Sequence, residues 1–82
     1  MRIKAIYKKN LRMSDGKLAA QIAHAVKNLG ETPQDCDIIV LGVSDKKFGE
    51  LILENSCYVQ VDKGLSEVKT GTQTAAAWIE IP

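Results

Sequence analysis

Seven residues in the middle of the chain, Asp37-Ile38-Ile39-Val40-Leu41-Gly42-Val43, form a nearly continuous apolar run rich in β-branched side chains. A run of this kind suits a central strand buried on both faces. Such a strand asks for a sheet covered above and below, and the flanking sequence supplies the cover. Arg2-Ile3-Lys4-Ala5-Ile6-Tyr7 alternates polar and apolar residues, the period of a strand with one buried face. Ser14 or Asp15 offers N-cap chemistry. From Lys17 to Leu29 the apolar residues Leu18, Ile22, Ala25, Val26 and Leu29 recur at helix spacing, and Gly30 sits where a helix stops. After a loop around Pro33 and the central run, Ser44 caps a second, short helix with Phe48, Leu51 and Ile52 on its apolar face, ending near Asn55. Gly49 weakens that helix by about 1 kcal/mol relative to alanine. Cys57–Val61 reads as a third strand and Gln73–Ile81, carrying Trp78, as a fourth. The order β-α-β-α-β-β implies an α/β sandwich, a sheet covered by helices.

With 82 residues the chain has room for one domain, spanning residues 1–82. Its 45% apolar content argues against disorder, and no apolar run nears the ~18 residues of a membrane helix. Lys8, Lys9 and Arg12 interrupt the stretch after Tyr7, which argues against a secretory signal and for a cytoplasmic protein without membrane attachment. A domain of this size buries a modest share of its surface, so a homodimer is a reasonable expectation. Cys36 and Cys57 lie far apart, with no CxxC, and are read as reduced thiols. With a single histidine in the chain and zinc needing about four ligands, no metal site and no cofactor are expected.

The net charge of +1 hides a division along the chain. Residues 1–30 carry seven Lys and Arg against Asp15 alone, net +6, whereas residues 31–82 carry four lysines against nine acids, net −5. Such a chain can offer a basic face to a polyanion while staying nearly neutral, unless the fold mixes the halves.

Two segments carry candidate chemistry. Lys17, Gln21 and His24 form one stripe of the first helix, offset from the Leu18–Ile22–Val26 stripe. A lysine at a helix start sits at the wrong end of the dipole, so it fits an anion or a neighbouring carboxylate; a solvated lysine and a merely packed histidine explain the same residues. The second segment, Asp62-Lys63-Gly64-Leu65-Ser66 followed by Thr70-Gly71-Thr72-Gln73-Thr74, gathers a carboxylate and hydroxyls at the end of a strand, where catalytic groups of such sheets commonly sit. Ordinary turns also look like this. GxSxG, Walker A and GxGxxG elements are absent from the sequence.

Together the two segments suggest a family. Met13-Ser14-Asp15-Gly16-Lys17-Leu18-Ala19-Ala20-Gln21-Ile22-Ala23-His24-Ala25 resembles the Met-Gly-Lys-Gly-Lys-x-Ala-Ala-Gln-x-x-His-Ala signature of type II peptidyl-tRNA hydrolases. Asp62–Thr74 resembles that family's Asp-Ala-Gly-Arg-Thr…Pro-Gly-Thr-x-Thr segment in the same register. The resemblance implies a three-layer α/β/α sandwich with a four-stranded mixed sheet, commonly a homodimer. It also implies metal-free hydrolysis of the ester joining a peptide to the 3′ end of tRNA. The family's functional residues fall on Lys17, Asp62, Ser66 and Thr74, and its helix histidine on His24. In this reading Asp62 orients or deprotonates a water, directly or through Ser66, and Lys17 holds Asp62 charged and stabilises an oxyanion or a terminal phosphate. His24, Gln21, Thr72 and Thr74 position substrate, while Lys8 and Arg12 belong to the basic half that meets tRNA phosphates.

The chain departs from the pattern at Asn10, Ser14-Asp15, Leu65, Ser66 and Thr70, and it is shorter than a typical member. Two other classes therefore stay open. One is an RNA-binding module without hydrolysis, and the other is a protein-interaction domain on the same fold.

Overall fold

The computed structural model describes residues 1–32, 34–63 and 68–81. Its six elements, in chain order, are β1 (Arg2–Lys8), α1 (Asp15–Lys27), β2 (Asp37–Val43), α2 (Asp45–Glu54), β3 (Tyr58–Val61) and β4 (Gln73–Glu80). The strands form one sheet in the order β2-β1-β4-β3. β1 runs parallel to β2 and antiparallel to β4, and β3 runs antiparallel to β4. The sheet is thus mixed, and with its two helices the fold is α/β. Neither helix is long and apolar enough to cross a membrane.

Both helices begin where the sequence places their caps. The Ser14 hydroxyl accepts the Lys17 N–H at 3.4 Å, and that of Ser44 accepts the Lys47 N–H at 3.1 Å. Asparagines close them: Asn28 Nδ2 donates to the His24 carbonyl at 2.7 Å and Asn55 Nδ2 to that of Leu51 at 2.9 Å. Gly30, at φ +88°, then turns the chain away through the left-handed region.

The core has two parts, built on alternate residues of the middle strands. Ile3, Ala5, Ala75 and Ala77 pack with Ala25 of α1, flanked by Ile22, Val26 and Leu29. Ile6, Ala76 and Trp78 pack with Phe48 of α2, flanked by Leu51 and Ile52. The small side chains of the β4 alanines let the helices approach the sheet closely. On α1 the most buried residues are Gln21 and Ala25, so its core face is centred nearer to the Lys17–Gln21–His24 stripe than the apolar residues alone suggest.

One expectation fails. The run Asp37–Val43 is not central: β2 is an edge strand with β1 as its single neighbour. Ile38 is 54% exposed, Val40 42% and Leu41 45%. The strand buried on both faces is β4, whose residues Thr74 to Trp78 are all buried. Two short helices centred on β1 and β4 cannot also cover a fourth strand, and α1 packs on β4, β3 and β1. An uninterrupted apolar run records tolerance of burial; which strand receives the cover depends on where the helices dock.

Candidate functional site

β1, β2 and β3 all point the same way, since β1 and β3 each run antiparallel to β4 and β2 runs with β1. Their C-terminal ends and the N-termini of both helices therefore meet along one edge of the sheet. In open α/β sheets this edge is where ligands bind.

Asp62 leaves β3 at that edge, and its position is fixed through the backbone. Its N–H donates to the Thr72 carbonyl and its carbonyl accepts the Gly71 N–H, both at 2.9 Å. Gly71 turns there at φ +86°, a conformation that suits glycine. The Asp62 side chain is 1% exposed, and its Oδ1 accepts from Lys17 Nζ in an ion pair. Two residues 45 positions apart are thereby joined. A carboxylate buried this deeply is costly to desolvate and needs such a partner. The same pairing accounts for a cation in the first turn of α1, where the helix dipole disfavours it.

Thr74 reaches the site through an irregularity in the sheet. Gln60 pairs with Ala75 but Val61 with Gln73, so Thr74 is the extra residue of a β-bulge. Strict alternation would send Thr74 towards α2 with Ala76 and Trp78. The bulge turns it towards α1, where its hydroxyl donates to Gln21 Oε1 at 2.5 Å, with the Gln60 carbonyl as a second acceptor at 3.4 Å.

Between α1 and β3 lies a cleft of about 640 Å³. Lys17, Gln21, His24 and Asn28 line its helix side; Tyr58, Gln60 and Asp62 line its sheet side. The structure thus brings together Lys17, Gln21, His24 and Asp62, with fully buried Thr74 behind Gln21. Thr72 is half-buried and contributes its carbonyl to Asp62. Ser66 lies outside the described residues. Arg12 is exposed on the loop between β1 and α1. Lys8 does not line the cleft: its ammonium stands 5.2 Å from the ring centre of Phe48, on the α2 side of the sheet.

Tyr58, Gln60 and Asn28 join the site without having been singled out in the sequence. The signals were present, since Tyr58, Gln60 and Asp62 follow the strand period of two and Asn28 extends the helix stripe by one more turn. Elsewhere, burial pushes the Cys57 thiol up, away from the nucleophilic thiolate, and its Sγ lies 3.7 Å from the Ile52 carbonyl. Among the described residues no three His, Cys, Asp or Glu side chains gather as a metal-binding group. No protein-family model matches the chain, and no curated protein matches its sequence.

Proposed function

We propose that the chain is a compact relative of the type II peptidyl-tRNA hydrolases, cleaving the ester between a peptide or N-blocked amino acid and the 3′ end of tRNA. The observation that carries this reading is the buried Lys17–Asp62 pair, one residue from each of the two segments that resemble the family, at the mouth of one cleft. A water beside Asp62 gives a proton to the Asp62 carboxylate as it attacks the ester carbonyl carbon. Charge then develops on the carbonyl oxygen, where the Lys17 ammonium offsets it. Collapse of the tetrahedral intermediate expels the ribose 3′ oxygen, which takes the proton back. Because Gln21 Oε1 is occupied by the Thr74 hydroxyl, the Gln21 amide faces the cleft as a donor. Thr74 acts here as a positioning residue and Gln21 as the substrate contact. His24, Asn28 and Tyr58 line the far part of the cleft and receive the terminal nucleoside or the acyl chain.

The proposal includes a three-layer α/β/α arrangement, supported by the two core clusters on alternate residues of β1 and β4. It includes a homodimer, supported by the open apolar edge at β2, and a cytoplasmic location, where the substrate is found. One observation favours the RNA-binding alternative: the Asp62 side chain is only 1% exposed, which leaves its carboxylate little contact with water.

Release of a labelled N-acetyl-aminoacyl group from tRNA, at low salt and without added metal, tests the reading. Turnover is expected from the parent. Lys17→Ala and Asp62→Asn, each confirmed as folded by its thermal transition, lose on the order of 100-fold or more, as removal of a principal electrostatic or acid–base group does. A folded parent that releases nothing removes the hydrolase reading.

A further inference from the structure

The division of charge at residue 30 is redrawn by the fold. The Lys9 N–H donates to the Val43 carbonyl at 3.0 Å, so the chain leaving β1 and the chain leaving β2 run side by side. Lys8 is held against Phe48 of α2, and the Ser44 cap sets Lys46 and Lys47, both exposed, in the first turn of α2. Two lysines from the acidic half of the sequence thus stand beside Lys8, Lys9 and Arg12, along the edge that carries the Lys17–Asp62 pair. Among the described residues, Asp15 and Asp45, in the first turns of α1 and α2, are the unburied acids beside them. The opposite edge, by contrast, carries Glu31, Asp35, Asp37, Glu54 and Glu80, against Arg2, Lys4 and Lys27. Polarity along the chain becomes polarity between the two edges of the sheet, with Lys46 and Lys47 on the basic side.

Those lysines are poorly placed for stability. A cation in the first turn faces the positive end of the helix dipole, and among the described residues Lys8, Lys9, Arg12, Lys46 and Lys47 take part in no ion pair. The cleft is lined by α1 and β3, whereas Lys46 and Lys47 start α2, whose Phe48 packs in the other core cluster. Lys8, Lys9, Arg12, Lys46 and Lys47 do not line the cleft, and five cations beside it suit a polyanion better than one phosphate group. Residues 8–13 and 44–47 expose no large apolar side chain with which to enter a lipid surface.

We propose that Lys46 and Lys47, with Lys8, Lys9 and Arg12, form a rim that holds the phosphate backbone of an RNA stem whose unpaired 3′ end enters the α1–β3 cleft. The inference rests on reading the cleft as the site of the 3′ terminus, and it assigns the stem to the far side of the sheet. Its chemistry is counterion release, so affinity depends steeply on salt.

The test is fluorescence anisotropy with a labelled RNA hairpin bearing a short single-stranded 3′ end and no ester, between 50 and 200 mM salt. Lys46→Gln/Lys47→Gln is expected to weaken binding on the order of 10-fold at low salt and to flatten the salt slope by about two. Lys27→Gln, at the opposite edge, leaves both unchanged. Equal binding by the rim variant and the parent overturns the proposal, and so does a parent that binds anionic vesicles or acidic protein but not the hairpin. Because the probe has no ester, the two readings fail separately. A parent that binds through Lys46 and Lys47 without cleaving peptidyl-tRNA loses the hydrolase alone. One that cleaves with an unchanged KM in the rim variant loses the rim alone.

Discussion

Replacing Thr74 by valine keeps the volume of a fully buried side chain and removes the hydroxyl that donates to Gln21 Oε1. The amide oxygen then loses a partner at a buried position, for which about 1–3 kcal/mol of destabilisation is expected in urea unfolding. Turnover in the proposed reaction should fall with it, through kcat more than KM, since Gln21 is freed to rotate. Restoration of both by Thr74→Ser would tie the effect to the hydroxyl. Glu80 offers a prediction of a different kind. The hydrogen bond from Arg2, then the charges of Arg2 and Lys4, hold its carboxyl below the usual glutamate range. A folded-state value below the unfolded one gives stability that is present above the ordinary value and lost as pH falls through the folded value. The stability difference between parent and Glu80→Gln should therefore be full at neutral pH and vanish in acid, as followed by urea midpoints across pH. These residues were not equally legible beforehand. Lys17, Gln21 and His24 share a face because helix geometry is rigid, so their spacing was enough. Thr74 was legible as a residue type but not in direction, because one extra residue reverses the alternation that strand reasoning relies on. Gln60 was passed over because a short strand gives a weak indication of which face is which.

Among the elements, α1 and α2 arise from local chemistry alone, because the serine caps and apolar spacing act within a few residues. Gly49 sits inside α2, and a Cβ built there meets nothing within 4 Å. Gly49→Ala should therefore raise stability by about 0.5–1 kcal/mol, by narrowing the unfolded ensemble and favouring the helix, with no repacking. A rise in thermal midpoint with unchanged RNA binding checks it; a fall would show that α2 needs the glycine for a reason the packing does not contain. The placement of β2 was less legible, since strand order is decided by non-local contacts. The composition of β2 resembles a core strand, but the alanine run of β4 gains burial instead, contributing to both core clusters. Gly42 marks the site where the Tyr7 ring lies over the β1–β2 pair: a Cβ there would come within 2.8 Å of it.

For the molecule as a whole, the exposed edge and the charged edge make separate demands. Ile38, with Ala19, Ile22, Ala23 and Val26 of α1, borders an apolar groove of about 520 Å³ beside the open strand, on which Val40 is exposed as well. If this is the dimer face, Val40→Lys should give a folded monomer in light scattering, because a lysine on an edge strand blocks strand addition and apolar contact together. A parent that is already monomeric at micromolar concentration would remove the homodimer from the proposal. The division of charge was legible as a quantity but not as a map, since Lys46 and Lys47 change sides only when β2 is laid against β1. That same pairing pattern governs how the chain can be made. The central pair of the sheet joins its first strand to its last, with Arg2 opposite Glu80, and both core clusters draw on β4. Contacts of such high sequence separation slow folding, because loop closure precedes any reward. On a ribosome β1, α1, β2 and α2 would therefore emerge with their apolar faces still open, and the core would assemble in one late step once β4 has cleared the exit tunnel.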